Sequence, residues 1–187
     1  MPSEKALPAE PGRWQIRFGG MGGQGVVVLG DTLSLAGALA GWHAAASMSY
    51  GAQVRGGASS ADVILARDPI DYPHLERADV AVILSQEAYD AYVKGDDLPP
   101  VVLYEPRTVN VRELPATTRQ IAVDATGLAM DTLKDRQGSN FIMLGALLAF
   151  TDVLTIEQVF TAVERKLGKR FWDLNKRAIR LGYETFS

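Results

Sequence analysis

One stretch constrains the fold more than any other, "RWQIRFGGMGGQGVVVLGDTLSLAGALA" at residues 13–40. Trp14 to Phe18 alternates apolar and polar side chains, as a β-strand does. The run from Val26 to Ala40 is helical, with small apolar residues on several faces, and Gly30 and Gly37 suit close packing against a sheet. Between them, Gly20, Gly22 and Gly25 spell G-x-G-x-x-G. A strand, a glycine turn and a helix start in that order form an anion-binding unit. The glycines admit close approach of the backbone, and the amides at the helix start point at the anion with the positive end of the helix dipole. The context, more than the three glycines, gives the motif weight.

The same spacing occurs in nicotinamide sites, and there it carries a second requirement. An Asp or Glu about 20 residues downstream, at the end of the second strand, holds the ribose hydroxyls. Between Asp31 and Asp62 this sequence has no acidic residue. Gln24 also places a polar side chain inside the turn. A free-standing NAD(P)-binding Rossmann module is therefore the alternative reading, and the missing acid speaks against it.

The remaining pattern alternates strands and helices. "WHAAASM" is a candidate second strand, "ADVILA" from Ala61 another, and "ADVAVILS" from Ala78 a near-continuous apolar run suited to a central strand buried on both faces. "QEAYDAYV" is helical, "VVLYE" a buried strand, "RQIAVDA" the last strand, and "TGLAMDTLKD" a short helix. Everything beyond is helical. Ser139 or Asn140 is positioned to cap an apolar helix from Phe141 to Phe150, Thr155 with Gln158 makes a capping box, and Phe171, Leu174, Ala178 and Leu181 share one face of the last helix. The expectation is an α/β fold, a three-layer Rossmann-like domain with a mostly parallel sheet and a helical C-terminal portion. Residues 13–187 form this single domain, and the polar, proline-punctuated residues 1–12 read as a disordered N-terminal arm.

A second glycine-rich loop, "SYGAQVRGG" at residues 49–57, follows the second strand. Arg55 is its one cation, flanked by Gly51, Gly56 and Gly57, and a planar guanidinium in a glycine frame suits a phosphate or carboxylate. Loops after the first two strands emerge at the carboxyl edge of such a sheet, where ligands bind. The two loops are thus positioned to face one anionic ligand.

"GMGGQGV" followed by "SYGAQVRGG" resembles the gamma subunit of the 2-oxoacid:acceptor oxidoreductases, which act on pyruvate, 2-oxoglutarate, ketoisovalerate or indolepyruvate. "ADVAVILS", "NFIMLGALL" from Asn140 and "LNKRAIRLGYE" from Leu174 extend the resemblance over about residues 13–185. It implies a subunit of a multisubunit enzyme for oxidative decarboxylation of a 2-oxoacid to an acyl-CoA. Thiamine diphosphate with Mg and [4Fe-4S] clusters would sit on partner subunits (alpha, beta and a ferredoxin-like delta), and electrons would pass to ferredoxin or another acceptor. This chain would bind coenzyme A and dock the catalytic subunits, with no catalytic residue of its own. Carried over by position, Gly20, Met21, Gly22, Gly23, Gln24, Gly25 and Val26 would line the pyrophosphate or pantetheine region. Arg55 would pair with a phosphate, with Tyr50, Gln53, Gly56 and Gly57 shaping the loop. Asn140 would either hydrogen-bond the ligand or act as an ordinary N-cap. Gln53 stands where many relatives carry Glu, removing a charge.

Composition agrees with a dependent subunit. The 187 residues contain no cysteine, so the chain holds no thiolate-ligated cluster and offers no thiolate nucleophile. His43 and His74 lie far apart, His43 in an apolar strand-like stretch and His74 in a surface loop, and neither suggests a metal site. A net charge of −3 argues against nucleic acid as partner. The longest apolar run, "FIMLGALLAF", is far short of the ~20 residues of a membrane helix. A soluble, cytoplasmic protein is expected. The basic residues between Arg165 and Arg180 read as a solvated helix face, or else as a surface for an acidic partner or the 3′-phosphate of coenzyme A.

Overall fold

The computed structural model describes residues 5–49 and 57–187. One six-stranded sheet organises the molecule. Its strands are β1 (Arg13–Met21), β2 (His43–Ser49), β3 (Ala58–Ala66), β4 (Val80–Ile83), β5 (Val101–Tyr104) and β6 (Arg119–Ala122), in the order β2-β3-β1-β4-β5-β6. Pairings β1–β4, β4–β5 and β5–β6 are parallel, whereas β3 runs antiparallel to both β1 and β2. Five strands thus point one way and β3 alone runs back. The sheet is mixed, with the mostly parallel direction expected from the alternation of strands and helices.

Helices cover its two faces unequally. On one face lie α1 (Val26–Leu39), α4 (Ser139–Thr151), α5 (Ile156–Lys166) and α6 (Trp172–Phe186), whose apolar residues join Ile16, Phe18, Val63, Leu65, Val80 and Val82 in the main core. The other face carries α2 (Gln86–Tyr92), with Tyr89, Ala88 and Val93 over Ala81, Ile83 and Val102. A short α3 (Ala125–Leu128) continues into a π-helical turn, Ala129–Leu133.

The helices obey their sequences in most respects. α1 buries Val26, Leu29, Gly30, Leu33, Ala36 and Gly37, a stripe of helical period. A Cβ at Gly30 or Gly37 would collide with Ala61 or Leu65 of β3, so these glycines set the close helix–sheet distance. In α4 every residue from Phe141 to Thr151 is buried, as a helix apolar on all faces must be. The Thr155–Gln158 capping box opens α5, with Thr155 N donating to Gln158 Oε1 at 2.9 Å and Gln158 N to Thr155 Oγ1 at 3.3 Å.

Four local expectations are corrected. β1 does not stop at Phe18 but runs on through Gly19, Gly20 and Met21, because β3 begins early enough to pair Ser60, Ser59 and Ala58 with them. Neither Ser139 nor Asn140 caps α4. A 3₁₀ turn, Arg136–Gly138, runs straight into it, Gly138 takes the N-cap position, and both residues fall inside the first turn. Phe171 lies in a 3₁₀ turn ahead of α6 and is exposed, and the buried stripe of α6 is Asn175, Ala178, Ile179 and Gly182. Residues 5–12, read as part of a loose arm, lie against the domain. Ala6 is buried and donates its amide to Phe150 O at 2.7 Å, and Lys5 pairs with Asp152.

Asp79 secures the far end of that segment. Its buried carboxylate accepts from Ala9 N at 2.8 Å and Gln15 N at 2.7 Å. Burial outweighs these donors and raises its pKa above the ordinary 3.8. A carboxyl raised in the folded state contributes stability while protonated and loses that contribution as the pH climbs through the folded-state value. Asp79→Asn is therefore expected to shift in its favour, relative to the parent, as urea unfolding is repeated from below pH 3.8 upward. A pH-independent difference would contradict this role.

Candidate functional site: a polar cavity at the carboxyl edge

The carboxyl ends of β1, β4 and β5 converge on a cavity of about 590 Å³. Strand order reverses between β1 and β4, the switch point at which open α/β sheets leave a crevice. Gly23 and Gln24 from the glycine turn, Leu84 just after β4, Glu105 and Thr108 beyond β5, Thr126 of α3, Arg136 in the turn ahead of α4, and Ser139 and Asn140 at its start all line it.

The glycine turn is built for a bare helix start. Gly23 and Gly25 have φ of 87° and 77°, the left-handed region that glycine enters without strain. Gly25 is the N-cap of α1 and supplies no side chain, and the first turn has no acidic residue. Leu29 N donates to Gly25 O, while the amides of Val26, Val27 and Val28 have no hydrogen-bond partner among the described residues. Three orphan donors thus sit at the positive end of α1.

Gln24 is a strut. Its Oε1 accepts from Met21 N at 2.6 Å and its Nε2 donates to Leu84 O at 2.9 Å, tying the end of β1 to the end of β4. Leu84 O also accepts from Thr108 Oγ1 at 2.8 Å, which extends the tie to the β5 loop. Gly20 makes room for it, since a Cβ there would meet Gln24 Oε1 at 2.8 Å. Asn140 lies directly against Gly25, where a Cβ would overlap its Nδ2. Its Oδ1 accepts from Phe141 N at 2.9 Å, and Nδ2 has no acceptor among the described residues.

The neighbouring helix start is filled from within. At α3, Thr126 N and Oγ1 both donate to Glu105 Oε2 at 2.8 Å, and Gly127 N donates to Asp124 Oδ1 at 2.8 Å. Glu105 is buried and also accepts from Arg107 N at 3.1 Å. Arg107 grips Asp124 through two bonds, of 2.5 and 2.8 Å, and that charge-assisted pairing holds the Asp124 carboxyl below its ordinary range. Two helix N-termini therefore border one cavity, one already satisfied by internal carboxylates and one open.

Of the residues expected at the site, Gly23, Gln24 and Asn140 line the cavity, Gly25 and Val26 form the start of α1 behind them, and Gly20 lies in β1 beneath the Gln24 side chain. Met21 ends β1 with an exposed side chain, a Cβ added at Gly22 would point into open space, and Gly57 precedes β3. Tyr50, Gln53, Arg55 and Gly56 lie outside the described residues. Sequence reasoning missed Glu105, Thr108, Thr126 and Arg136, none of which belongs to a motif. Their positions immediately after β5, at the start of α3 and ahead of α4 were the available signal. His43 lies exposed on the edge strand β2, and His74 is exposed in a loop against Tyr72. No group of three or more His, Asp or Glu able to hold a metal occurs among the described residues. No helix among them is long and apolar enough to cross a membrane.

The topology also answers the nicotinamide alternative. In a dinucleotide fold β2 lies beside β1, which brings its acidic end to the ribose. Here β3 is inserted between them, and β2 ends at Ser49.

Fold and site together define a Rossmann-like α/β protein with a polar cavity at the switch point. The family model for pyruvate ferredoxin/flavodoxin oxidoreductase matches residues 15–185. The chain is 34% identical to the 2-oxoglutarate synthase subunit KorC of Methanocaldococcus jannaschii over 92% of its own length and 94% of the relative's. It is 31% identical to the pyruvate synthase subunit PorC of Thermotoga maritima, covering 95% of this chain and 97% of that one. The crystal structure of the keto/oxoacid ferredoxin oxidoreductase gamma subunit from Geobacter sulfurreducens superposes with a TM-score of 0.76 at 30% identity, over 92% of this chain and 98% of that chain. The chain belongs to the pyruvate ferredoxin/flavodoxin oxidoreductase family, as the gamma subunit of a 2-oxoacid:ferredoxin oxidoreductase.

Proposed function

We propose that this subunit binds coenzyme A at the switch-point cavity and presents its thiol to catalytic subunits docked against it. The reaction served is oxidative decarboxylation of a 2-oxoacid to its acyl-CoA. One observation carries the reading: the amides of Val26–Val28 are open at the cavity's edge, while the adjacent start of α3 is closed by Glu105 and Asp124. An uncapped helix start beside left-handed glycines suits a diphosphate. The Asn140 amide, seated on that turn with an Nδ2 that has no acceptor among the described residues, adds a donor of the right kind.

When bound on partner subunits, thiamine diphosphate with Mg supplies the decarboxylation chemistry and [4Fe-4S] clusters carry the electrons away. This chain contributes no cysteine to a cluster. The pocket for the 2-oxoacid side chain belongs, on this reading, to the catalytic subunits, consistent with similarity to subunits named for both 2-oxoglutarate and pyruvate. The partners are alpha, beta and ferredoxin-like delta chains, in the cytoplasm.

The test is purification of the native complex, followed by coenzyme A-dependent dye reduction with a panel of 2-oxoacids. The isolated chain is expected to be inactive. Arg55→Ala is expected to raise the KM for coenzyme A about 10-fold or more, as loss of a charged hydrogen bond to phosphate does, with 2-oxoacid decarboxylation preserved. Tight NAD(P) binding by the purified chain without coenzyme A binding would replace this reading with the Rossmann-module alternative.

A further inference from the structure

Arg136 stands on the short 3₁₀ turn that leads into α4 and faces the cavity. It differs from Arg107, which follows β5. Arg107 is neutralised by two bonds to Asp124, whereas Arg136 has no carboxylate partner among the described residues. The turn that carries it is fixed, because Asp135 Oδ1 accepts from Gln137 N at 2.9 Å and Ser139 N donates to Arg136 O. Asp135 is thus engaged with backbone.

Another part of the cavity lining has the reverse polarity. Glu105 is buried, and its two oxygens receive three hydrogen bonds from Arg107 N, Thr126 N and Thr126 Oγ1. A carboxylate accepts about four, so one acceptor position remains. A phosphate placed beside Glu105 would meet a like charge. Beside Arg136 it would meet a guanidinium that donates bidentately to phosphate oxygens, and Asn140, which rests on Gly25 at the start of α1, lines the same cavity.

We propose that Arg136 is the phosphate-binding cation of this cavity and that, with Glu105, it fixes the ligand's direction: phosphate toward the start of α4, amide or hydroxyl donors toward Glu105. This assignment rests on the coenzyme A reading and adds a residue and an orientation to it.

The experiment compares Arg136→Gln with the parent in the native complex, measuring KM for coenzyme A and for pantetheine, which lacks the phosphates. Arg136 is exposed, so the variant is expected to fold. The expected result is a KM for coenzyme A raised about 10- to 100-fold, an unchanged KM for pantetheine, and partial recovery in Arg136→Lys. An unchanged KM for coenzyme A, or equal losses with both thiols, overturns the assignment while leaving the coenzyme A reading intact. If the parent complex shows no dependence on coenzyme A, it is the underlying reading that fails. Glu105→Gln supplies the other arm. Weaker use of both thiols supports the proposed direction, and tighter coenzyme A binding alone reverses it.

Discussion

Alanine at Gly145 or Gly182 is expected to cost roughly 3 kcal/mol or more of folding stability, enough to deplete the folded chain. The reason is backbone against backbone. A Cβ at Gly145 of α4 would lie inside 3.0 Å of Ile179 O and at 2.8 Å from Tyr183 N. A Cβ at Gly182 of α6 would press on the Ile142 carbonyl, with its carbon at 2.9 Å, and come within 3.1 Å of Ala146 N. Neither helix has a flexible side-chain end to move aside, so relief requires the axes to separate. Separation would open the packing around Ile142, Ala146, Ala178 and Ile179, all fully buried. Urea unfolding of the purified chain measures the effect, and Gly168→Ala is the control. Gly168 has φ of −64° and open space around it, so alanine there is expected to stay within about 0.5 kcal/mol of the parent. Stability near the parent's in Gly145→Ala would show that the crossing is looser than described.

Gly25→Ala is expected to damage the site and the fold together. Its φ of 77° alone costs an alanine about 1–2 kcal/mol. The added methyl also displaces the Asn140 amide that rests on Gly25, at the mouth of the proposed phosphate site. The expected outcome is a loss of about 2–3 kcal/mol in stability and at least a 10-fold rise in KM for coenzyme A. The two causes separate in a double-mutant cycle. In an Asn140→Ala background the clash disappears and only the backbone strain remains, so Gly25→Ala should cost less by about 1 kcal/mol. Strict additivity would mean that Gly25 and Asn140 do not act on one another.

These two sites show how far the sequence was legible. "NFIMLGALL" and "LNKRAIRLGYE" stand out as two separate stretches of family resemblance, and in space they are the two sides of one contact, through Gly145 and Gly182. The glycine turn was readable as an anion site because a strand, glycines and an apolar helix follow one another directly. The place where β1 ends was not. Local alternation stops at Phe18, yet pairing with Ser60, Ser59 and Ala58 carries the strand three residues further. This moves Gly20 out of the turn and leaves the left-handed work to Gly23 and Gly25. Gln24, read as an extra donor within the turn, proves to brace it, a role that depends on Leu84, 60 residues away.

The sequence by itself determined the order of strands and helices, the strand–turn–helix unit, the exclusion of cysteine chemistry and the missing ribose acid. Each follows from local rules: periodicity, the freedom of glycine, and the chemistry of side chains present or absent. The tertiary structure alone decided that β3 inserts between β1 and β2. It also decided which helix start stays open, and that among the described residues Arg136, unlike Arg107, has no carboxylate partner. The physical reason is that those outcomes depend on contacts between residues far apart in the chain. Which donor is satisfied, and which is left for a ligand, is settled only when such residues are packed against one another.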